Sequence, residues 1–506
     1  MWERLSFRNA QDDTPVKVAV AVSLLLVTAR FVLSESIGFG DAEALYASYS
    51  LFGQATYLDH PGLIGWLGSW FLNEQGVADP VSIHRFTSIA ATAIPWLGGL
   101  AARFAGASAR GAILAVLAIA IVPETAIGLF AFSPDLPLAI AWLGALGLAA
   151  LALRSHPSSL RSFAATLGAG LCTGLACAAK VTGILLAIAL VATWSSRPAR
   201  ERLRTFAPYF AVLLGIIVTL PMLQREISLG WPMLHHRLWH TQVGFGLTLR
   251  NVGALLGGQA LYLTPFVAIA IVAIAIDLAR QPHNDAVDRL LFYTTIPPFV
   301  ALATLTILSR VAEPHWVAPA YLGLALHLRR RADSALVSRR LALASVFTSL
   351  LAIAVVFLVV RFPVLPKILG DSYDPKLDIT NDLFAWKTGS TLVQSSLRQV
   401  REAGIDDVVV VGPHWVICAQ VQAAIGQTAE VACETPEGDD FQQRLPKSAW
   451  ERAPVWLYVT DDRFPIDIPT HFPNRSIAGV NRATVRRGGV VVRTIRVIQL
   501  QRMGAV

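Results

Sequence analysis

Apolar residues run in stretches far longer than a globular core requires, separated by short segments rich in glycine, proline and charge. Windows long enough to cross roughly 30 Å of hydrocarbon fall at 16–33, 86–104, 112–130, 136–153, 163–178, 182–194, 206–223, 255–275, 290–308, 316–328 and 341–360, predicting about eleven transmembrane helices. Beyond residue 360 the texture changes. Prolines at Pro363, Pro366 and Pro375 open a polar region in which helical spacing at 392–403 accompanies strand-like runs at 407–412, 455–460 and 490–500. The pattern predicts an α-helical polytopic membrane domain over 1–360 and a small, soluble α/β domain over 361–506.

Composition agrees, with 54% hydrophobic and only 15% charged residues among 506. The net charge of +8 is distributed by loop. Arg4, Arg8 and Lys17 precede the first span, and Arg103/Arg110, Arg154/Arg161, Arg197/Arg200/Arg202/Arg204, Arg280/Arg289 and Arg329/Arg330/Arg331/Arg339/Arg340 occupy every second loop thereafter. The positive-inside rule makes those loops and the N-terminus cytoplasmic. The intervening loops have few cations, with none over 34–84 or 123–136 and otherwise mainly Lys180, Arg225, Arg237, Arg250 and Arg310. They are expected outside, together with the C-terminal domain. A basic balance set by topology argues against a nucleic-acid partner. The basic N-terminus and first apolar run suggest a secretory signal, but no small-x-small site closes the run and further spans follow, so the first helix is expected to remain as an anchor. Cys172 and Cys177 fall within a span and suit packing, whereas Cys418 and Cys433 leave a disulfide in the soluble domain open, since spacing does not say whether they meet. No zinc-ligand spacing is present.

The first outer loop carries Gly38-Phe39-Gly40-Asp41-Ala42-Glu43-Ala44-Leu45-Tyr46 and then Tyr57-Leu58-Asp59-His60-Pro61. Ionisable side chains at a bilayer edge are costly unless they meet a partner or substrate. Plainer roles stay open beside that one. Asp41, Glu43 and Asp135 also suit helix caps, and Lys180 at a span end suits snorkelling. Asp59 and His60 suit a turn before Pro61, and Glu313 and His315 suit pairing with each other. Trp66, Trp70, Trp231 and Trp316 suit an interfacial belt. Segment 224–250, with Trp231, His235, His236, Arg237, Trp239 and His240, suits an amphipathic element at the interface. Its adjacent His235 and His236 point to different sides of a helix, which disfavours metal binding.

Taken in chain order, the first outer loop, Asp59-His60-Pro61, Ser133-Pro134-Asp135-Leu136-Pro137, Ala179-Lys180-Val181-Thr182-Gly183 and Glu313-Pro314-His315-Trp316-Val317-Ala318-Pro319-Ala320-Tyr321 resemble bacterial GT-C glycosyltransferases of the protein-mannosyltransferase-like superfamily, which includes aminoarabinose transferases. The resemblance covers roughly 16–360, and the shared order and outer face of the motifs carry it. It implies a GT-C fold and transfer of a sugar from a polyprenyl-phosphate-linked donor to a lipid, glycan or protein acceptor, at the outer face of a bacterial cytoplasmic (inner) membrane. Asp41 is then the first choice for the base that takes the acceptor proton and Glu43 the second. Asp135 would orient substrate or help a divalent cation, and no other cofactor is implied. Lys180, with help from His315, would stabilise the departing phosphate. Asp59, His60 and Glu313 are the remaining substrate-side candidates.

One departure stands out. Counted back from Asp59-His60-Pro61, the family's Asp-Glu pair falls on Ala42 and Glu43, so Asp41 stands one place early. Either the loop shifts locally, or Glu43 is the working acid, or activity is altered. The competing classes are a secondary transporter, which would place charges at the midplane of repeated halves, and an inactive membrane scaffold whose C-terminal domain binds a partner. A nucleotide-sugar donor is disfavoured, because the site faces away from the cytoplasm and no glycine-rich phosphate loop is present.

Overall fold

A computed structural model describes residues 13–240, 246–280, 285–309, 313–327, 338–435 and 439–503. Of the residues singled out above, Arg4, Arg8, Arg310, Arg329, Arg330 and Arg331, and the side chain of His240, lie outside the described residues. The chain is mostly helical and divides into two compact units. One comprises Met1–Arg30, Thr87–Phe130 and Pro134–Ala354, the other Phe31–Phe86, Ala131–Ser133 and Val355–Val506.

Six described helices are long and apolar enough to cross a membrane: Thr14–Ser34, Asp135–Arg154, Leu160–Ala179, Ala207–Leu229, Ala286–Leu308 and Arg339–Arg361. Two bent pairs, Ala109–Ala120 with Pro123–Phe130 and Leu249–Tyr262 with Pro265–Arg280, raise the number to at most eight. The protein is therefore multi-pass, with six to eight such spans among the described residues where about eleven were expected from the whole sequence. The stretch at 182–194 is the 13-residue helix Gly183–Ser195, which at ~1.5 Å per residue falls short of the hydrocarbon thickness. The stretch at 316–328 breaks into the short turns Pro314–Val317, Ala318–Leu322 and Gly323–His327. Pro80–Ala105 is long enough but carries Arg85, Arg103 and several hydroxyls, which leave it outside the apolar set. Proline causes the bends. Pro265 cannot continue the ladder of the preceding helix, and Thr264 before it takes a positive φ of 67° at a bend of 104°.

Within the first unit, Leu160–Ala179 and Ala207–Leu229 pack through small residues. A Cβ on Gly170 would strike the backbone of Ala211, and one on Gly174 would lie 2.9 Å from the Gly215 oxygen. Arg30, buried among apolar helices, is satisfied by the carbonyls of Ala126 (2.8 Å) and Thr125 (3.1 Å) and by Thr92 Oγ1 (2.8 Å). The two carbonyls are left unpaired where the short Pro123–Ala126 helix ends, so this cation acts as its cap.

The second unit contains a five-stranded sheet: β1 Val408–Gly412, β2 Glu430–Cys433, β3 Val455–Asp461, β4 Arg475–Arg487 and β5 Val490–Arg502, in the order β2-β1-β3-β5-β4. β1 runs parallel to both β2 and β3, while β5 is antiparallel to β3 and β4. Alternate residues of β1 face opposite sides. Val408 and Val410 pack with Trp386, Leu397 and Ile417, and Val409 and Val411 with Trp450, Trp456 and Tyr458. Phe39, Ala44, Tyr49, Tyr57 and Ile64 belong to the same core as Trp386 and Ile417. The first outer loop is thus part of the folded body of the C-terminal region.

All four cysteines are free thiols in the structure, and Cys418 and Cys433 are neighbours. Cys418 Sγ donates to the Ala432 carbonyl (3.4 Å), and Cys433 Sγ lies 3.0 Å from Thr435 Oγ1.

Candidate functional site

Two polar clusters hold the predicted residues. In the first unit, Asp135 opens the Asp135–Arg154 helix, where a negative charge is favoured by the helix dipole. Lys180 ends the Leu160–Ala179 helix in extended conformation. Its Nζ lies 2.8 and 3.0 Å from the two Asp135 oxygens, and the side chain is only 7% exposed, so it runs to the carboxylate instead of snorkelling to water. His315 Nε2 is 3.7 Å from Asp135 Oδ2, and its Nδ1 is 3.5 Å from Glu313 Oε2. Burial lowers the His315 pKa to about 4, with Lys180 and Arg237 adding to the shift and Asp135 opposing it. The imidazole is therefore neutral near pH 7. Burial pushes Glu313 upward, against Lys180 and Arg237. Gln259 Nε2 donates to the Pro314 carbonyl (2.6 Å) and braces this turn, while Glu124 accepts from Tyr321 Oη (2.6 Å). Glu124, Gln259 and the charge of Arg237 were missed as site components. A lone acid in an apolar stretch was the available signal for Glu124.

The second unit holds the first outer loop. The helix Asp41–Tyr49 starts after Gly40, and Glu43 reaches back from its first turn so that Gly40 N donates to Oε2 (2.8 Å). Glu43 Oε1 accepts from Phe132 N (2.8 Å) and pairs with His84 Nε2 (3.0 Å). Burial alone would raise the Glu43 pKa, but His84 and the two amides outweigh it and hold the carboxyl below its usual range. Asp41, two residues earlier on the helix, points elsewhere. Its Oδ2 accepts from Arg463 Nη1 (2.6 Å) and its Oδ1 from Gln420 Nε2 (3.3 Å). Its side chain is 20% exposed, against 9% for Glu43. His84, Arg463 and Gln420 were also missed, because each lies tens to hundreds of residues from its partner.

Asp59-His60-Pro61 forms a tight turn in which Tyr57 N donates to the His60 carbonyl (2.9 Å) and Gly62 N to the Ala55 carbonyl (2.8 Å). His60 is buried edge-on to Tyr46, with ring centroids 5.6 Å apart. Asp59 acts electrostatically on Tyr49 and Asp440, which are joined by a 2.8 Å hydrogen bond, and burial followed by Asp59 pushes the Asp440 carboxyl up. Trp66 and Trp70 are exposed and meet edge to face at 4.7 Å. Among the described residues no group of three or more His, Cys, Asp or Glu side chains is disposed to hold a metal ion.

Residues 59–224 match the family profile described as dolichyl-phosphate-mannose-protein mannosyltransferase. The fold is similar to the crystal structure of ArnT from Cupriavidus metallidurans bound to undecaprenyl phosphate, at a TM-score of 0.63 and 14% identity, covering 96% of this chain and 98% of that one. It is also similar to the Archaeoglobus fulgidus oligosaccharyltransferase tethered with an acceptor peptide, at a TM-score of 0.50 and 15% identity, over 89% of this chain and 69% of that one. No curated protein matches the chain. Residues 59–224 thus resemble the protein mannosyltransferases, and the fold over nearly the whole length of the chain is like that of ArnT.

Proposed function

We propose that this protein transfers a sugar from a polyprenyl-phosphate donor to a lipid, glycan or protein acceptor at the outer face of a bacterial cytoplasmic membrane. The observation that carries the reading is Lys180, a buried cation at the end of a membrane helix, joined to Asp135 and beside a neutral His315. A departing phosphate gains negative charge, which a fixed cation in a poorly hydrated site stabilises strongly. The imidazole N–H adds a hydrogen bond without competing for the negative charge. Sharing Lys180 between Asp135 and the phosphate keeps the cation placed before the donor arrives, and Asp135 and Glu313 remain for orienting sugar hydroxyls.

The base is Asp41. Glu43 uses its oxygens on two amides and His84, which suits it to fixing the loop, whereas Asp41 retains exposure and spare lone pairs. Its carboxylate takes the proton of the attacking acceptor group as that group bonds to the anomeric carbon and the polyprenyl phosphate departs. The assignment of the membrane portion 1–360 to donor chemistry, and of 361–506 to support on the outer side, belongs to the same reading. The distribution of cations supports a cytoplasmic N-terminus and an extracytoplasmic C-terminal region.

The test is a mass-spectrometric comparison of envelope lipids and glycans from cells with the wild-type protein, without it, and with Asp41→Asn at equal membrane abundance. One glycosylated species should vanish in both defective strains. An unchanged envelope, with a solute accumulating or a protein complex lost, would instead indicate transport or scaffolding.

A further inference from the structure

After β1 the chain turns to β2 on one side and then crosses to β3 on the other, so the carboxyl ends of β1 and β3 mark the switch point of the parallel part of the sheet. The crevice outside such a point is where open α/β sheets hold ligands. Here it holds part of the same chain. Arg463 follows the end of β3 and places Nη1 2.6 Å from Asp41 Oδ2. Gln420, on the helix Trp415–Ile425 that follows β1, donates Nε2 to Asp41 Oδ1 (3.3 Å) and to the Phe39 carbonyl (3.0 Å).

Arg463 is itself fixed from several sides. Its backbone N donates to Asp461 Oδ1 (2.9 Å), its Nε donates to Asp461 Oδ2 (2.9 Å), and Nη1 lies 3.3 Å from Asp382 Oδ1. Arg493 pairs with the same Asp382 and balances the group. An aspartate in the first turn of a helix is otherwise free to seek solvent or the helix's own amides. In this chain, where the acid stands one place early, the sheet turns it to a defined side.

We propose that Arg463 is a positioning residue for the transfer reaction: held by Asp461 and Asp382, it fixes the direction of the Asp41 carboxylate, so that the C-terminal sheet completes the active site. The inference rests on the assignment of Asp41 as base. It does not require Arg463 to touch either substrate. A misdirected base costs orders of magnitude in rate, because proton transfer needs hydrogen-bond geometry.

The experiment uses membranes from cells producing wild type, Arg463→Gln, Arg463→Lys or Asp41→Asn, with their own donor and acceptor. Appearance of the glycosylated species found in the envelope comparison is followed, together with the thermal unfolding midpoint of each purified variant. Arg463→Gln should slow transfer by about tenfold or more per folded molecule, and Arg463→Lys, which keeps the charge, should recover most of that loss. A wild-type rate in Arg463→Gln, a loss that only tracks the unfolded fraction, or an Arg463→Lys variant no better than Arg463→Gln would overturn the inference. A wild-type protein that forms no glycosylated species overturns the transferase reading itself, and so the two failures are distinguishable.

Discussion

Glu43 shows how much a single side chain does in the first loop. Were its carboxylate replaced by an amide, the NH₂ group would have to face a backbone N–H or the His84 ring whichever way it turned. Glu43→Gln should therefore cost about 1–3 kcal/mol, the usual penalty for leaving a buried polar group badly matched. The cost also depends on pH. Because the folded carboxyl sits below its ordinary value of 4.5, its contribution is fully present above that value and is lost as pH falls through the folded pKa. Thermal unfolding in detergent from roughly pH 7 down to 3 should show the gap between the wild-type and Glu43→Gln midpoints constant above pH 4.5 and narrowing below it; a gap that does not change below pH 4.5 contradicts the account. Lys180→Met breaks a mostly buried pair and should destabilise the protein by about 3 kcal/mol or more while abolishing transfer. The corresponding check is the unfolding midpoint beside the rate. With its pKa at about 4, His315 should produce no limb near 6.5 in the pH–rate profile, and a limb there that disappears in His315→Gln would show the ring to be charged. At this scale the residue types were legible and their partners were not: Asp135 and Lys180 announced themselves at span ends, whereas His84, Phe132 and Arg463 reach Glu43 and Asp41 only through tertiary folding.

At the scale of elements, sequence periodicity found the buried strands and the apolar stretches of the membrane region, but not where those stretches are short or bent. β1, β3 and β5 were visible as β-branched runs, but β2 has only four residues and β4 interleaves arginines with small residues, so neither stands out. Hydropathy windows register apolarity without length or straightness. They therefore did not register that Gly183–Ser195 is short, that 314–327 is broken into short turns, or that proline bends two of the helix pairs. Where helices do pack, small residues set the distance. Gly170→Ala should lower the thermal midpoint, an overpacking cost of about 1–3 kcal/mol, since its methyl group would meet the Ala211 backbone. Gly253→Ala on the Leu249–Tyr262 helix, with no described atom within 4 Å of the added carbon, should leave the midpoint unchanged or raise it. Equal effects from the two would remove small-residue packing as the explanation.

For the molecule as a whole, the sequence suggested a boundary near residue 360, but the second compact unit is woven from three separated segments. No periodicity announces that kind of assembly, because each segment looks locally complete. An alkaline phosphatase reporter fused after Arg502 should be active, as an extracytoplasmic C-terminal region requires, and an inactive fusion at normal abundance would reverse the topology. The weaving also bears on biosynthesis. Phe39, Tyr49 and Tyr57 leave the ribosome early, yet their core partners Trp386, Ile417 and Ile495 are encoded about 300 residues or more after the end of the first loop. At ~5–20 residues per second, that loop waits on the order of 15–80 s with its apolar face uncovered. Nascent chains that stall in the interval keep that apolar segment uncovered, which makes translation speed part of what determines how much mature protein accumulates.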